Sequence, residues 1–82
     1  MDAPTALLEF LEYVIGHLID HPEAASIGHE LDGDRHVFRL QVHEDDMGQI
    51  IGKNGYTISS IRSLLNAAAE RAGTKVVLKI IE

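Results

Sequence analysis

Ile50-Ile51-Gly52-Lys53-Asn54-Gly55-Tyr56-Thr57-Ile58-Ser59-Ser60-Ile61 is the stretch on which the reading of this 82-residue chain turns. Apolar residues run up to the first glycine, two glycines bracket a Lys-Asn pair, and isoleucines recur at Ile58 and Ile61. The pattern predicts helix, tight turn, helix. Glycines let the chain bend sharply and let a foreign backbone come close. The following helix offers unpaired N–H groups and a partial positive charge, which together attract phosphate. Lys53 adds a full charge inside the turn. A plain helix-turn-helix corner has the same outline. A DNA-reading helix-turn-helix wants more basic and polar residues on its second helix than Ser59, Ser63 and Asn66 supply.

Working outward, residues 44–51 predict a short helix, opened by Glu44, Asp45 and Asp46, whose charges suit a helix N-terminus. Met47, Ile50 and Ile51 form its apolar face, and so short a helix must dock on neighbours. Residues 56–72 predict the clearest helix. Ile58, Ile61, Leu64, Leu65, Ala68, Ala69 and Ala72 make one stripe, and Gly73 marks the stop. Strands are expected at 36–42, with Phe38, Leu40 and Val42 on one face, and at 75–81, where Val76, Leu78 and Ile80 alternate with Lys75, Val77, Lys79 and Ile81. A weaker strand at 25–31 joins the first through the hairpin signal Asp32-Gly33-Asp34. At the N-terminus, residues 4–20 predict a helix with Leu7, Leu8, Leu11, Val14, Ile15, Leu18 and Ile19 on one face, ended by Pro22.

The order is therefore α-β-β-α-α-β in one α+β domain spanning 1–82. The hairpin makes the first two strands antiparallel. The helical crossover makes the second and third parallel, with a right-handed connection. A three-stranded mixed sheet with helices on one face is expected.

Composition narrows the function. The chain has no cysteine, which removes disulfides and thiolate metal sites. No apolar run nears the ~18 residues a membrane span needs, and the N-terminus lacks the features of a signal peptide, so a cytoplasmic protein is expected. Net charge is −6, against the usual basic signature of nucleic-acid binders. The charge is lopsided, however. Residues 1–46 carry eleven acids and two bases, whereas 47–82 carry five bases and two acids. The glycine turn lies in the positive half, and screening limits electrostatic reach to about 8–10 Å. His17 and His21 stand four apart on the first predicted helix, a ligand spacing, but no third ligand is evident. Asp45, Asp46, Asp32 and Asp34 read as caps and solvated charges. No nucleophile–base constellation is present, so neither an enzyme nor a cofactor is expected.

The run Ile50-Ile51-Gly52-x-x-Gly55-x-x-Ile58-x-x-Ile61, set between two short helices with strands on the right sides, resembles the KH domain in its bacterial type II arrangement. Glu44-Asp45-Asp46-Met47-Gly48, Ala67-Ala68-Ala69 and Val76-Val77-Leu78-Lys79-Ile80 are similar to the flanks found in small bacterial single-domain KH proteins. The resemblance covers essentially the whole chain. It implies that Gly52, Lys53, Asn54 and Gly55 clamp the backbone of single-stranded RNA over about four nucleotides. It also implies that Ile51 and Ile58 line a shallow groove near the bases. Arg62 would either reach a phosphate or remain a solvated helix residue. The family often has a basic residue after the second glycine. This chain has Tyr56, which either stacks on a base or lies on the helix surface. The resemblance further implies an RNA chaperone or regulator that pairs with a second KH protein or with itself, linked to cell-wall synthesis and cell shape. A reading from another class is an interaction module. There the acidic half and the small-residue face Ser59, Ser60, Ser63 and Ala67 bind a second KH chain, and the partner makes most RNA contact.

Overall fold

In a computed structural model, which describes residues 2–82, helix α1 (Ala3–Gly16) leads through a single 3-10 turn (Pro22–Ala24) into β1 (Ser26–Asp32) and β2 (Arg35–Gln41). Helix α2 (Glu44–Ile51), a second 3-10 turn (Lys53–Gly55), helix α3 (Tyr56–Arg71) and strand β3 (Lys75–Ile80) complete the chain. The sheet order is β1-β2-β3. β1 and β2 are antiparallel, with Ser26 opposite Gln41 and Asp32 opposite Arg35. β2 and β3 are parallel, from Arg35 opposite Lys75 to Leu40 opposite Ile80. The expected α-β-β-α-α-β order and mixed three-stranded sheet are therefore present.

The core lies between one sheet face and the helices. Leu7, Leu11 and Ile15 of α1 meet Phe38, Leu40 and Val42, Ile50 of α2, Leu78, and the α3 stripe Ile58, Ile61, Leu65 and Ala69. Phe38, Leu40, Leu11 and Ile50 are wholly buried. On the opposite sheet face Val37 is also buried, in register with Glu30 and Val77, beside the Glu30–Arg39 ion pair. Helix ends follow local chemistry. Asp2 caps α1 by accepting from the Thr5 N–H at 3.0 Å. After α3, Gly73 turns at φ 73°, and the Thr74 and Gly73 N–H groups donate to the Ala69 and Glu70 carbonyls. That pairing is a Schellman closure.

Several expectations are corrected. Helix α1 stops at Gly16, not residue 20. The His17 ring donates from Nδ1 to the Tyr13 carbonyl at 2.7 Å, and Leu18 and Ile19 stay half-buried without being helical. Leu64, placed on the α3 stripe by periodicity, is 57% exposed. Asp46 is no solvated charge: it is 1% exposed. Its two carboxylate oxygens accept from the Asp20 and His21 N–H groups at 3.0 Å each, which ties the α1–β1 connection to the start of α2. Burial alone would raise its pKa, but these two backbone bonds, with His21 and His43 nearby, outweigh that and hold it below the ordinary value. His17 and His21 do not pair. His21 stacks instead on His43, with ring centroids 4.2 Å apart.

Candidate nucleic-acid interface

Between α2 and α3 the chain turns in four residues, three of which have positive φ. Gly52 lies at φ 76°, ψ 172°, Asn54 at φ 58°, ψ 21°, and Gly55 at φ 76°, ψ 12°. The two glycines are needed for different reasons. A Cβ on Gly52 would sit 2.1 Å from Thr57 Oγ1 and 2.9 Å from the Thr57 nitrogen, so space as well as torsion excludes a side chain. A Cβ on Gly55 would meet open space, so only its left-handed backbone favours glycine. Asn54 tolerates this region better than most residues.

The turn is closed by three backbone bonds. Gly52 donates to the Gly48 carbonyl, Gly55 to Gly52, and Tyr56 to Lys53. Among the described residues, no acceptor is assigned to the Lys53 and Asn54 N–H groups. No carboxylate reaches the turn there, and Gly55 gives the N-terminus of α3 no side-chain cap. The corner is open to solvent. Lys53 and Asn54 are exposed, and Tyr56 is 70% exposed. A left-handed turn followed by a 16-residue helix thus offers uncommitted N–H donors, the positive end of the helix dipole and one ammonium group. That combination binds anions.

The remaining site residues separate. Ile51 is half-buried beside the turn, whereas Ile58, expected at the groove, is only 7% exposed and packs in the core. Arg62 leans across the gap between α3 and β3 and donates from Nη2 to the Leu78 carbonyl at 3.3 Å. Its neighbours there are Leu65, Asn66, Val76, Val77 and Leu78, which enclose a shallow groove of about 180 Å³. Sequence reasoning did not find Thr57, Asn66 or the Leu78 carbonyl. For Asn66 and Leu78 the expected parallel pairing of β2 and β3 carried the signal, because it makes β3 a free edge alongside α3.

A family model described as "KhpA/KhpB, KH domain" matches residues 8–80. The chain belongs to this KH-domain family. It is 40% identical over 74 residues to a Chlamydia muridarum protein named "RNA-binding protein KhpA", covering 90% of this chain and 95% of the relative. It is 39% identical over 72 residues to a protein of that name from Halalkalibacterium halodurans, covering 88% and 95%. A third, from Clostridium perfringens, is 36% identical over 73 residues, covering 89% and 97%. No solved structure matches the chain.

Within this KH domain, positive charge is distributed unevenly between committed and uncommitted groups. Arg35, Arg39 and Lys75 on the open sheet face pair with Asp32, Glu30 and Asp34. Among the described residues, Lys53, Arg62, Arg71 and Lys79 make no ion pair. Lys53 lies in the turn itself, and Arg62 and Arg71 lie on the helix that leaves it, Arg62 nearer the turn and Arg71 at the far end. An acidic chain therefore keeps uncompensated positive charge at the corner that offers backbone donors. Among the described residues, no helix is long and apolar enough to cross a membrane.

Proposed function

We propose that this KH domain is a non-catalytic module that holds the sugar-phosphate backbone of single-stranded RNA on the Gly52–Gly55 turn. The observation that carries this reading is the solvent-open turn whose Lys53 and Asn54 N–H groups meet no acceptor among the described residues. The names of the relatives, "RNA-binding protein KhpA", support it. Gly52 and Gly55 allow close approach, Lys53 supplies charge and Asn54 a neutral donor. Tyr56, exposed directly after the turn, offers its ring as a surface on which a base stacks. Ile51 borders the strand, and Ile58 supports the turn from within. Arg62 and the α3–β3 groove meet the bases or the next phosphate. Sequence preference is low, because the turn touches backbone and the groove is shallow. Binding is salt-sensitive, with a slope set by the number of phosphates neutralised. The module serves as an RNA chaperone or post-transcriptional regulator in the cytoplasm, acting with a KhpB-like KH protein in cell-wall and cell-shape control.

The test is Lys53→Asp with Asn54→Asp. Both side chains are exposed, so the double variant folds with stability within about 0.5 kcal/mol of the parent. Retention of an unstructured RNA oligonucleotide falls at least about tenfold, because a like charge now faces phosphate. A folded variant that retains RNA like the parent overturns the reading.

One observation favours a second role. Leu64 is 57% exposed on α3, flanked by exposed Ser60, Ser63 and Ala67. A large apolar side chain among small ones suits a close helix–helix contact with a second copy or with a KhpB-like chain, whose RNA contacts would then dominate. Light scattering and partner titration decide. A strict monomer that binds no KhpB-like protein removes this role and leaves the turn's role untouched.

A further inference from the structure

We propose that His21, His43 and Asp45 form a binding site for one divalent transition-metal ion, with Zn²⁺ as the reference ion. The three residues come from two segments. His21 lies in the connection between α1 and β1, and His43 and Asp45 open α2. One donor atom from each lies within 4.8 Å of the other two. Asp45 Oδ2 is 3.8 Å from His21 Nε2 and 3.6 Å from His43 Nδ1. A tetrahedral zinc with bonds of about 2.0–2.1 Å holds its ligand atoms about 3.4 Å apart. The two Asp45 pairs therefore close around an ion by a few tenths of an ångström, and the His21 and His43 nitrogens, within 4.8 Å of each other, follow by rotation of the rings. The His21 and His43 side chains are 37% exposed and Asp45 is 69% exposed, so this movement meets little resistance. The rings are stacked, with centroids 4.2 Å apart and a tilt of 27°, so one half-exposed imidazole must swing out of the stack to bring both in-plane lone pairs onto one ion.

Proton placement also fits. His43 Nδ1 accepts the Asp45 N–H at 3.0 Å, so it carries a lone pair and no proton. Its ion would displace that N–H toward water at the exposed helix start. On His21, Nε2 faces Asp45 while Nδ1 is 3.7 Å from Glu23 Oε1. At that distance Glu23 makes no hydrogen bond to His21, but a small movement of its exposed side chain would let it orient the ring as an outer carboxylate does for a ligating histidine. Asp46 fixes the frame. Its buried carboxylate binds the His21 N–H and so holds that backbone against α2 before any ion arrives. Two imidazoles and one carboxylate favour Zn²⁺, Co²⁺, Ni²⁺ or Cu²⁺ over Mg²⁺ or Ca²⁺, which prefer oxygen alone. The remaining position is open to water.

The other histidines serve as controls. His29 Nε2 and His36 Nδ1 hydrogen-bond each other at 2.9 Å on the hairpin. His17 is bound to the Tyr13 carbonyl. Zinc chloride is titrated into the full 82-residue chain, followed by calorimetry, melting temperature and histidine side-chain NMR. The expected result is one ion per chain and a raised Tm. The His21 and His43 ring resonances move, and those of His29 and His36 do not. Affinity falls at least tenfold in His21→Gln and in His43→Asn. The second variant keeps a side-chain oxygen able to cap α2 while losing the imidazole. His29→Ala binds like the parent. Three results would each overturn the proposal: no zinc-dependent change in Tm, resonance shifts confined to His29 and His36, or unchanged affinity in folded His21→Gln/His43→Asn. Should those variants fail to fold, the resonance shifts in the unmodified chain decide.

Discussion

At its N-terminal end, α2 has its polar groups engaged within the protein. His43 accepts from the Asp45 N–H, and Asp46 accepts from Asp20 and His21. At its C-terminal end, past the Gly52 N–H that closes on Gly48, the Lys53 and Asn54 N–H groups meet no acceptor among the described residues. One corner fixes the helix in the fold. The other holds an unusual backbone shape open to solvent. The contrast separates what the turn needs in order to exist from what it offers to a ligand. In an 82-residue chain with total stability on the order of 4–12 kcal/mol, both corners matter.

The contrast breaks most severely at Gly52. Gly52→Ala drives a methyl group into Thr57 at φ 76°, ψ 172°, a region few side-chain-bearing residues enter. Torsional strain and overpacking together cost about 3–5 kcal/mol, read as a lower urea midpoint. RNA retention falls with it, because the turn reshapes or α2 and α3 separate. A midpoint unchanged from the parent would mean that the Gly52–Thr57 contact relaxes without strain.

Next comes the closed corner. Asp46→Asn keeps the shape but faces one of the two backbone donors with an NH₂ group, leaving a repulsive, unpaired contact in a buried place. Its stability at neutral pH falls below the parent's. The pH dependence identifies the cause. The folded pKa of Asp46 lies below its ordinary value of 3.8, so the ionised carboxylate stabilises the fold fully above 3.8. That contribution disappears as pH falls through the lower, folded value. The difference between parent and Asp46→Asn therefore narrows in acid below 3.8. A constant difference across the acid limb would show that the carboxylate's charge contributes nothing.

Gly55→Ala sharpens the comparison inside the turn. It shares φ 76° with Gly52, but its Cβ meets only open space. The cost is the left-handed backbone alone, about 1 kcal/mol. The ratio of the two glycine effects measures how much of the turn's shape is held by contact with Thr57 and how much by torsion.

Much of this was legible in the chain. The apolar period gave each element within a few residues, and glycine spacing gave the turn. Leu18 and Ile19 extended the α1 pattern past its real end because a half-buried residue need not be helical. Leu64 sits at the margin of the α3 stripe, about a quarter turn from the centre of the arc formed by the buried Ile58, Ile61, Leu65 and Ala69, and stays exposed. Asp46 read as one of three helix-start acids, since only the tertiary approach of residues 20 and 21 distinguishes it from Asp45. The His21–His43 stack joins positions 22 apart, and no local spacing encodes that. Thr57, which makes glycine obligatory at 52, carries no signal of its own. Long-range polar contacts were the illegible part because any surface acid or histidine looks the same until folding brings it a partner.

The smallest expected effect is at Tyr56, where the open corner meets α3. The side chain is 70% exposed at the first position of the helix and has no assigned hydrogen bond among the described residues. Tyr56→Ala therefore leaves stability within about 0.5 kcal/mol, since an exposed surface position away from a cap or cavity rarely does more. Its ring, however, is exposed directly after the turn proposed to hold phosphate, where a base could stack on it. Loss of base stacking weakens single-stranded RNA by ~1–3 kcal/mol. Tyr56→Phe restores it, because stacking needs the ring and not the hydroxyl. Equal RNA retention by Ala and Tyr at this position would assign the ring to solvent and leave the grip to the backbone donors and Lys53 alone. The pair of variants thus separates what the turn's backbone does from what the adjoining aromatic adds.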